Sequence, residues 1–160
     1  MSNTDINYHR MQAEEDRRSG TSYWFGVAGK VIEDKLNQEL SKNNASYGWL
    51  FTPLVVLISF SCEAGLKSLL LKSNKQPKKT HDLFKLFTEL DADTQDRIKK
   101  NITSTEFEAT LIKSSKTFEE WRYLESKAEG QNLSANLLFL KELNTGIHEC
   151  LGLPSPFNHS

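Results

Sequence analysis

The sequence predicts an all-α protein, an up-and-down helical bundle of about five to six helices. Three observations carry this. Apolar residues recur at steps of three and four over most of the chain. No run shows sustained period-two alternation. Helical patterns stop and start at Gly, Pro, Asn or a capping side chain. A chain of 160 residues, 38% hydrophobic and 26% charged, can close one core without a metal or a disulfide. The expected organisation is a polar N-terminal arm or loose helix over 1–20, a bundle over 21–153 and a C-terminal tail over 154–160.

The elements follow in order. Residues 1–20 are polar with mixed charge and end at Gly20, where a loose helix or an arm would stop. A first firm helix is predicted from Ser22 to Lys42. Its stripe is Trp24, Val27, Ala28, Val31, Ile32, Leu36 and Leu40. Asn43 to Gly48 has loop composition. Pro53 suits the first turn of the next helix, which runs to about Lys72. Within it Leu50 to Phe60 is a continuous apolar run of about a dozen residues, short of the roughly 20 that span a bilayer. It is expected as the first half of a buried central helix, with no membrane partner.

Thr80 is a candidate N-cap for HDLFKLFTEL, in which Leu83, Leu86, Phe87 and Leu90 share a face and Asp82 sits in the first turn. Asp93 would cap a short helix, TQDRIKKNI. Thr105 and Glu108 form a capping-box pattern before a long helix ending at Gly130, and Ser134 would cap the last.

The composition narrows function by exclusion. A net charge of −1 creates no global field for nucleic acid or membrane. Cys62 and Cys150 lie in apolar surroundings, as buried thiols rather than a bridge. MSNTDINYHR lacks the apolar core of a secretory signal, so a cytoplasmic address is expected. His9, His148 and His159 are scattered without ligand spacing, so no metal and no cofactor is expected. Nucleophile-elbow and phosphate-loop patterns are absent, and Lys72, Lys75, Lys78 and Lys79 read as a solvated turn.

The unusual position is Glu63, a carboxylate in SFSCEAGLKSLLL, which is apolar on nearly every face. One reading places it at the surface, paired with Lys67 one turn on. The other has it reach a cation on another helix, and the best cation is Arg122, one turn after Phe118 and beside the apolar stripe. Arg122 itself reads as a structural ion-pair partner, an exposed side chain or an anion-binding group. His81 reads as a helix-start residue that packs locally, or as a proton carrier.

Three segments in order, SCEAGLKSLLL (61–71), KKTHDLFKLF (78–87) and TFEEWRYLE (117–125), resemble the HEPN superfamily over roughly residues 22–125. The resemblance implies a HEPN-like helical bundle, usually paired as a homodimer and common in prokaryotic defence and toxin–antitoxin systems. Many such proteins are metal-independent ribonucleases with Arg followed four to six residues later by His. Here Arg122 is followed by YLESKAEGQN and Arg97 by IKKNITS, and neither stretch holds a His; Arg10, Arg17 and Arg18 also fail the spacing.

The resemblance therefore implies a dimerising module associated with a nucleotide or RNA. Glu63 and Arg122 would hold the bundle, and His81, Asp82 and Tyr123 would lie near the same polar seam. Two alternatives stay open. One is a ribonuclease with a variant active site, in which His81 serves Arg122. The other is a helical module that binds a protein partner.

Overall fold

A computed structural model describes residues 3–122 and 135–157, and these contain helices and no strand. Helix α1 spans Asn3–Leu40, and a 3-10 turn over Ala45–Leu50 leads into α2, Phe51–Lys72. Four short helices follow: α3 Leu83–Thr88, α4 Ala92–Lys99, α5 Phe107–Ser114 and α6 Thr117–Arg122. Helix α7, Leu137–Leu151, completes the bundle. Helix α2 is the axis. It packs along α1 and against α7, α6 and α3, while α4 packs on α7.

Helix α2 is central because it is apolar all round, so only burial on most sides suits it. Leu54, Val55, Ile58, Cys62, Leu66 and Leu70 are essentially inaccessible. By length and composition the Ala45–Lys72 stretch would pass for a membrane span, beyond the dozen-residue run expected. However, 83% of its most apolar window is covered by the protein itself. Pro53 sits in its first turn, where a missing N–H costs nothing.

Helix α1 departs from expectation twice. It runs through Gly20 without a break, so the polar N-terminal segment and the first firm helix are one element. Its buried face is only partly the predicted stripe: Leu36 is buried and Val27, Ala28 and Ile32 are half-buried, but Trp24, Val31 and Leu40 are exposed. The buried positions are Ser22, Gly26, Gly29, Glu33, Leu36 and Glu39, at steps of four, three, four, three and three. Small residues win because they let two long helices approach closely. A methyl group at Gly29 would lie 3.0 Å from Ile58, and one at Gly26 would lie 3.1 Å from Pro156. The polar members are satisfied internally, since Glu33 pairs with Lys141 of α7 at 2.6 Å.

Ser22 belongs to a buried network at the crossing of α1, α2 and α7. Its hydroxyl donates to the Ser61 carbonyl at 2.8 Å and lies 3.0 Å from His148 Nε2. The Ser61 hydroxyl donates to the Ser22 carbonyl, and the Asn144 amide donates to Ser61 Oγ at 2.7 Å. His148 Nδ1 faces the Pro154 carbonyl at 3.3 Å, which ties down the C-terminal tail. Burial holds the His148 imidazole below its ordinary pKa. A lowered histidine pKa means that the unfolded chain takes up the proton first. Stability is therefore complete above about pH 6.5 and is lost as pH falls from there through the folded value. Urea unfolding between pH 8 and 5 should show a slope of at most about 1.4 kcal/mol per pH unit from this group. A His148→Gln variant should flatten that slope.

Local capping explains the remaining boundaries. Asp82, not Thr80, caps α3 by accepting from the Lys85 amide; Thr80 Oγ1 instead accepts from the Asp82 amide. Asp91, not Asp93, caps α4. Helix α5 begins after Glu106 without a side-chain cap, so the Thr105–Glu108 box is not formed. The long helix expected from Thr105 is divided at Ser115, whose carbonyl accepts from the Leu83 amide of α3 at 3.0 Å. The expected helix end at Gly130 and the Ser134 cap lie outside the described residues. Asn136 caps α7 by accepting from Phe139 N, and Gly152 closes it in the left-handed conformation. Cys62 and Cys150 are free and buried, and burial pushes the Cys62 thiol up to about 12.

Candidate functional site

Glu63 sits midway along α2 with its side chain 4% exposed. Its carboxylate meets two donors: Lys67 Nζ lies 2.6 Å from Oε1, and His81 Nδ1 lies 2.9 Å from Oε2. Lys67, one turn along the same helix, is itself only 9% exposed. A buried charge is tolerated only when paired and hydrogen-bonded, and here each buried ion supplies the other's compensation.

His81 precedes the cap of α3, so the cap sets where its ring points. Asp82 holds the Lys85 amide at 3.1 Å, Thr80 holds the Asp82 amide, and the Leu83 amide is fixed to Ser115. These bonds hold the turn that carries the imidazole to Glu63. A carboxylate only accepts, so Nδ1 carries a proton and Nε2 is left on the far edge of the ring. The His81 side chain is 38% exposed.

Phe118 of α6 joins the remaining piece. The His81 ring lies 5.4 Å from the Phe118 ring. The Arg122 guanidinium, one turn further along α6, lies 4.7 Å from the same ring. Imidazole and guanidinium thus share one aromatic platform. Phe118 in turn stacks on Phe60 of α2 at 4.9 Å, which fixes α6 against the axis.

Several expected residues therefore converge. Glu63 and His81 touch directly, and Arg122 joins His81 through Phe118. The pairing differs from the one expected: Glu63 reaches a side chain outside its own helix, but that side chain is the His81 imidazole in the turn before α3, not Arg122. Its pairing with Lys67 is as one reading had it, although buried rather than superficial. Arg122 is exposed and lies on Phe118. The Asp82 carboxylate is turned to the start of α3, and Tyr123 lies outside the described residues. Two features went unnamed, the burial of the Lys67 ammonium and the Phe118 platform. The four-residue step from Phe118 to Arg122 was the available signal for the second.

The seam can do two things chemically. A guanidinium and an imidazole are both groups that can hold a phosphate through charge-assisted hydrogen bonds. An imidazole oriented by a carboxylate can also accept a proton at Nε2.

A family model described as the HEPN domain matches residues 53–142, from the first turn of α2 into α7. No curated protein and no solved structure matches the chain. The matched span takes in more than half of the sequence and contains Glu63, His81, Phe118 and Arg122 together, and the chain belongs to the HEPN domain family.

Proposed function

We propose that this chain is a nucleotide- or RNA-binding module that acts as a cytoplasmic homodimer in a prokaryotic defence or toxin–antitoxin setting. The observation that carries the binding role is the convergence of His81 and Arg122 on Phe118, beside the buried Glu63–Lys67 pair. Guanidinium and imidazole suit phosphate oxygens. The apolar surface that α1 leaves outside, with Trp24 and Val31 each more than 60% exposed, supports pairing with a second copy. The setting is supported by the family resemblance.

The test is fluorescence anisotropy with a labelled single-stranded RNA across a salt series. Arg122→Ala should weaken binding about tenfold, roughly 1.4 kcal/mol. It should also reduce the slope of log affinity against log salt by about 0.7, the value for one lost phosphate contact on a single strand. Equal affinity and slope in parent and variant would remove the seam from the ligand's path.

A second reading, a metal-independent endoribonuclease with a variant active site, is favoured by the 2.9 Å bond that orients His81. In that reaction Nε2 takes the proton of an RNA 2′-hydroxyl, whose oxygen attacks the adjacent phosphorus. The bond to the 5′-oxygen breaks, giving a 2′,3′-cyclic phosphate and, after protonation, a 5′-hydroxyl. Arg122 would stabilise the charge on the phosphoryl oxygens. End-labelled RNA incubated with excess chelator decides. Cleavage no faster than in the His81→Ala, Arg122→Ala double variant leaves binding as the sole role.

A further inference from the structure

Helix α1 lies outside the matched span 53–142, yet with α2 it lines a cleft that shares Glu63 with the same seam. The cleft has a volume of about 340 Å³ and lies between α1 and α2. Glu14, Arg17, Arg18 and Thr21 line it from α1, and Phe60 and Glu63 line it from α2. It therefore shares Glu63 with the site that orients His81. Its Phe60 wall is the ring stacked on Phe118, the platform of His81 and Arg122. Phe25 of α1, itself partly exposed, packs edge-on against Phe60 at 4.7 Å and extends the aromatic row outward.

The lining has a specific chemistry. Arg18 is held in place by Glu14, which accepts from Nη2 at 2.8 Å and from Nε at 3.1 Å. That bond holds the Glu14 carboxyl below its ordinary pKa. Arg17 is exposed beside it. The Thr21 hydroxyl donates to the Arg17 carbonyl at 2.8 Å, so its oxygen is left as an acceptor. The exposed Arg17 guanidinium, with Arg18 shared with Glu14, an acceptor hydroxyl and an aromatic wall match a phosphate, a sugar hydroxyl and a base, while the Glu63 carboxylate of the lining is taken up by Lys67 and His81. The volume, near the roughly 300 Å³ lower bound of small-ligand sites, admits one such unit.

We propose that this cleft is a second nucleotide subsite. The ligand of the seam is then single-stranded RNA of at least two consecutive nucleotides, not a mononucleotide. The proposal rests on the binding role assigned to the seam above. Arg17 and Arg18 take the phosphate next to the one at His81 and Arg122, Thr21 accepts from the ribose 2′-hydroxyl, and the row ending in Phe25 flanks the base.

The test uses the full chain, a fluorescein-labelled single-stranded octaribonucleotide, the DNA octamer of the same sequence, and AMP. The Arg17→Ala, Arg18→Ala double variant should bind the RNA octamer about tenfold more weakly, with a salt slope shallower by about 0.7 to 1.4. Thr21→Val should narrow the preference for RNA over DNA. Arg10→Ala removes a charge from the same helix outside the cleft and should change little. Circular dichroism confirms that each variant folds.

Four results overturn the proposal. In the first, the double variant binds the octamer like the parent while Arg122→Ala does not; that removes the subsite and leaves the seam standing. In the second, Arg10→Ala costs as much as the double variant, which means diffuse attraction. In the third, light scattering shows that the double variant has lost a dimer, which assigns this face to a second copy. A parent that binds neither octamer nor AMP removes both the subsite and the role of the seam.

Discussion

Glu63→Ala is expected to lower the unfolding free energy by about 3–5 kcal/mol, because it leaves Lys67 charged, buried and unpaired. A loss of that size is a large share of the roughly 5–15 kcal/mol that holds a domain folded. The signature lies in the second substitution. Glu63→Leu combined with Lys67→Met removes both charges and should recover most of the loss, since the pair's mutual attraction mainly repays its own desolvation. Urea unfolding of the three proteins measures this. A single-variant loss under about 1 kcal/mol would mean that the pair behaves as a surface bridge.

The Glu63→Leu, Lys67→Met variant should also separate stability from binding. It keeps the fold but removes the acceptor that orients His81, so RNA affinity should fall while the melting temperature stays near that of the parent. An unchanged affinity would show that the imidazole needs no orientation by Glu63.

Gly146→Ala is the other change with a large expected cost, about 3 kcal/mol or more. The added methyl carbon would lie 2.7 Å from the Ile98 carbonyl oxygen and 3.0 Å from its Cα, and backbone cannot rotate away. Helix α4 would have to move off α7. Gly65→Ala meets side chains instead: its methyl group would overlap Ile147 and lie 2.8 Å from Ser22 Oγ. Those atoms can yield, so about 1–3 kcal/mol is expected there. Gly152→Ala meets nothing within 4 Å and is penalised only for its left-handed backbone, φ 75°, by about 1–2 kcal/mol. Thermal unfolding should rank the three in that order. Gly146→Ala melting with the parent would contradict the α4–α7 contact.

The helices were legible wherever one physical signal dominated. The apolar run of α2 announced its burial, and the Leu83, Leu86 and Phe87 positions of α3 are all in the core. The buried face of α1 was only partly legible: Leu36 belongs to the predicted stripe, whereas Ser22, Gly26 and Gly29 do not. Hydropathy ranks Trp24 and Val31 above Ser22, Gly26 and Gly29, but helix separation is set by the small residues and hydropathy does not report separation. Caps were misplaced by two residues in α3 and α4 because Thr80, Asp82, Asp91 and Asp93 are all competent caps and tertiary contacts choose among them. At the site, Glu63, His81 and Arg122 were visible as anomalies: a carboxylate in an apolar helix, a histidine at a helix start and an arginine beside a stripe. Which of them meet was not visible, because this depends on the turn fixed by Thr80 and Asp82. The α1 cleft was out of reach for the same reason, since nothing local links Arg17 to Glu63.

The most direct measurement is a titration of isotopically labelled protein with single-stranded RNA, followed through the His81 imidazole nitrogens, the Phe118 ring and the Arg122 guanidinium by nuclear magnetic resonance. The predicted result is that these three signals shift together with one saturation curve, and that His81 Nδ1 keeps its proton to Glu63 throughout. Shifts confined to residues away from α2, α3 and α6, with these three unchanged at saturating RNA, would contradict the account.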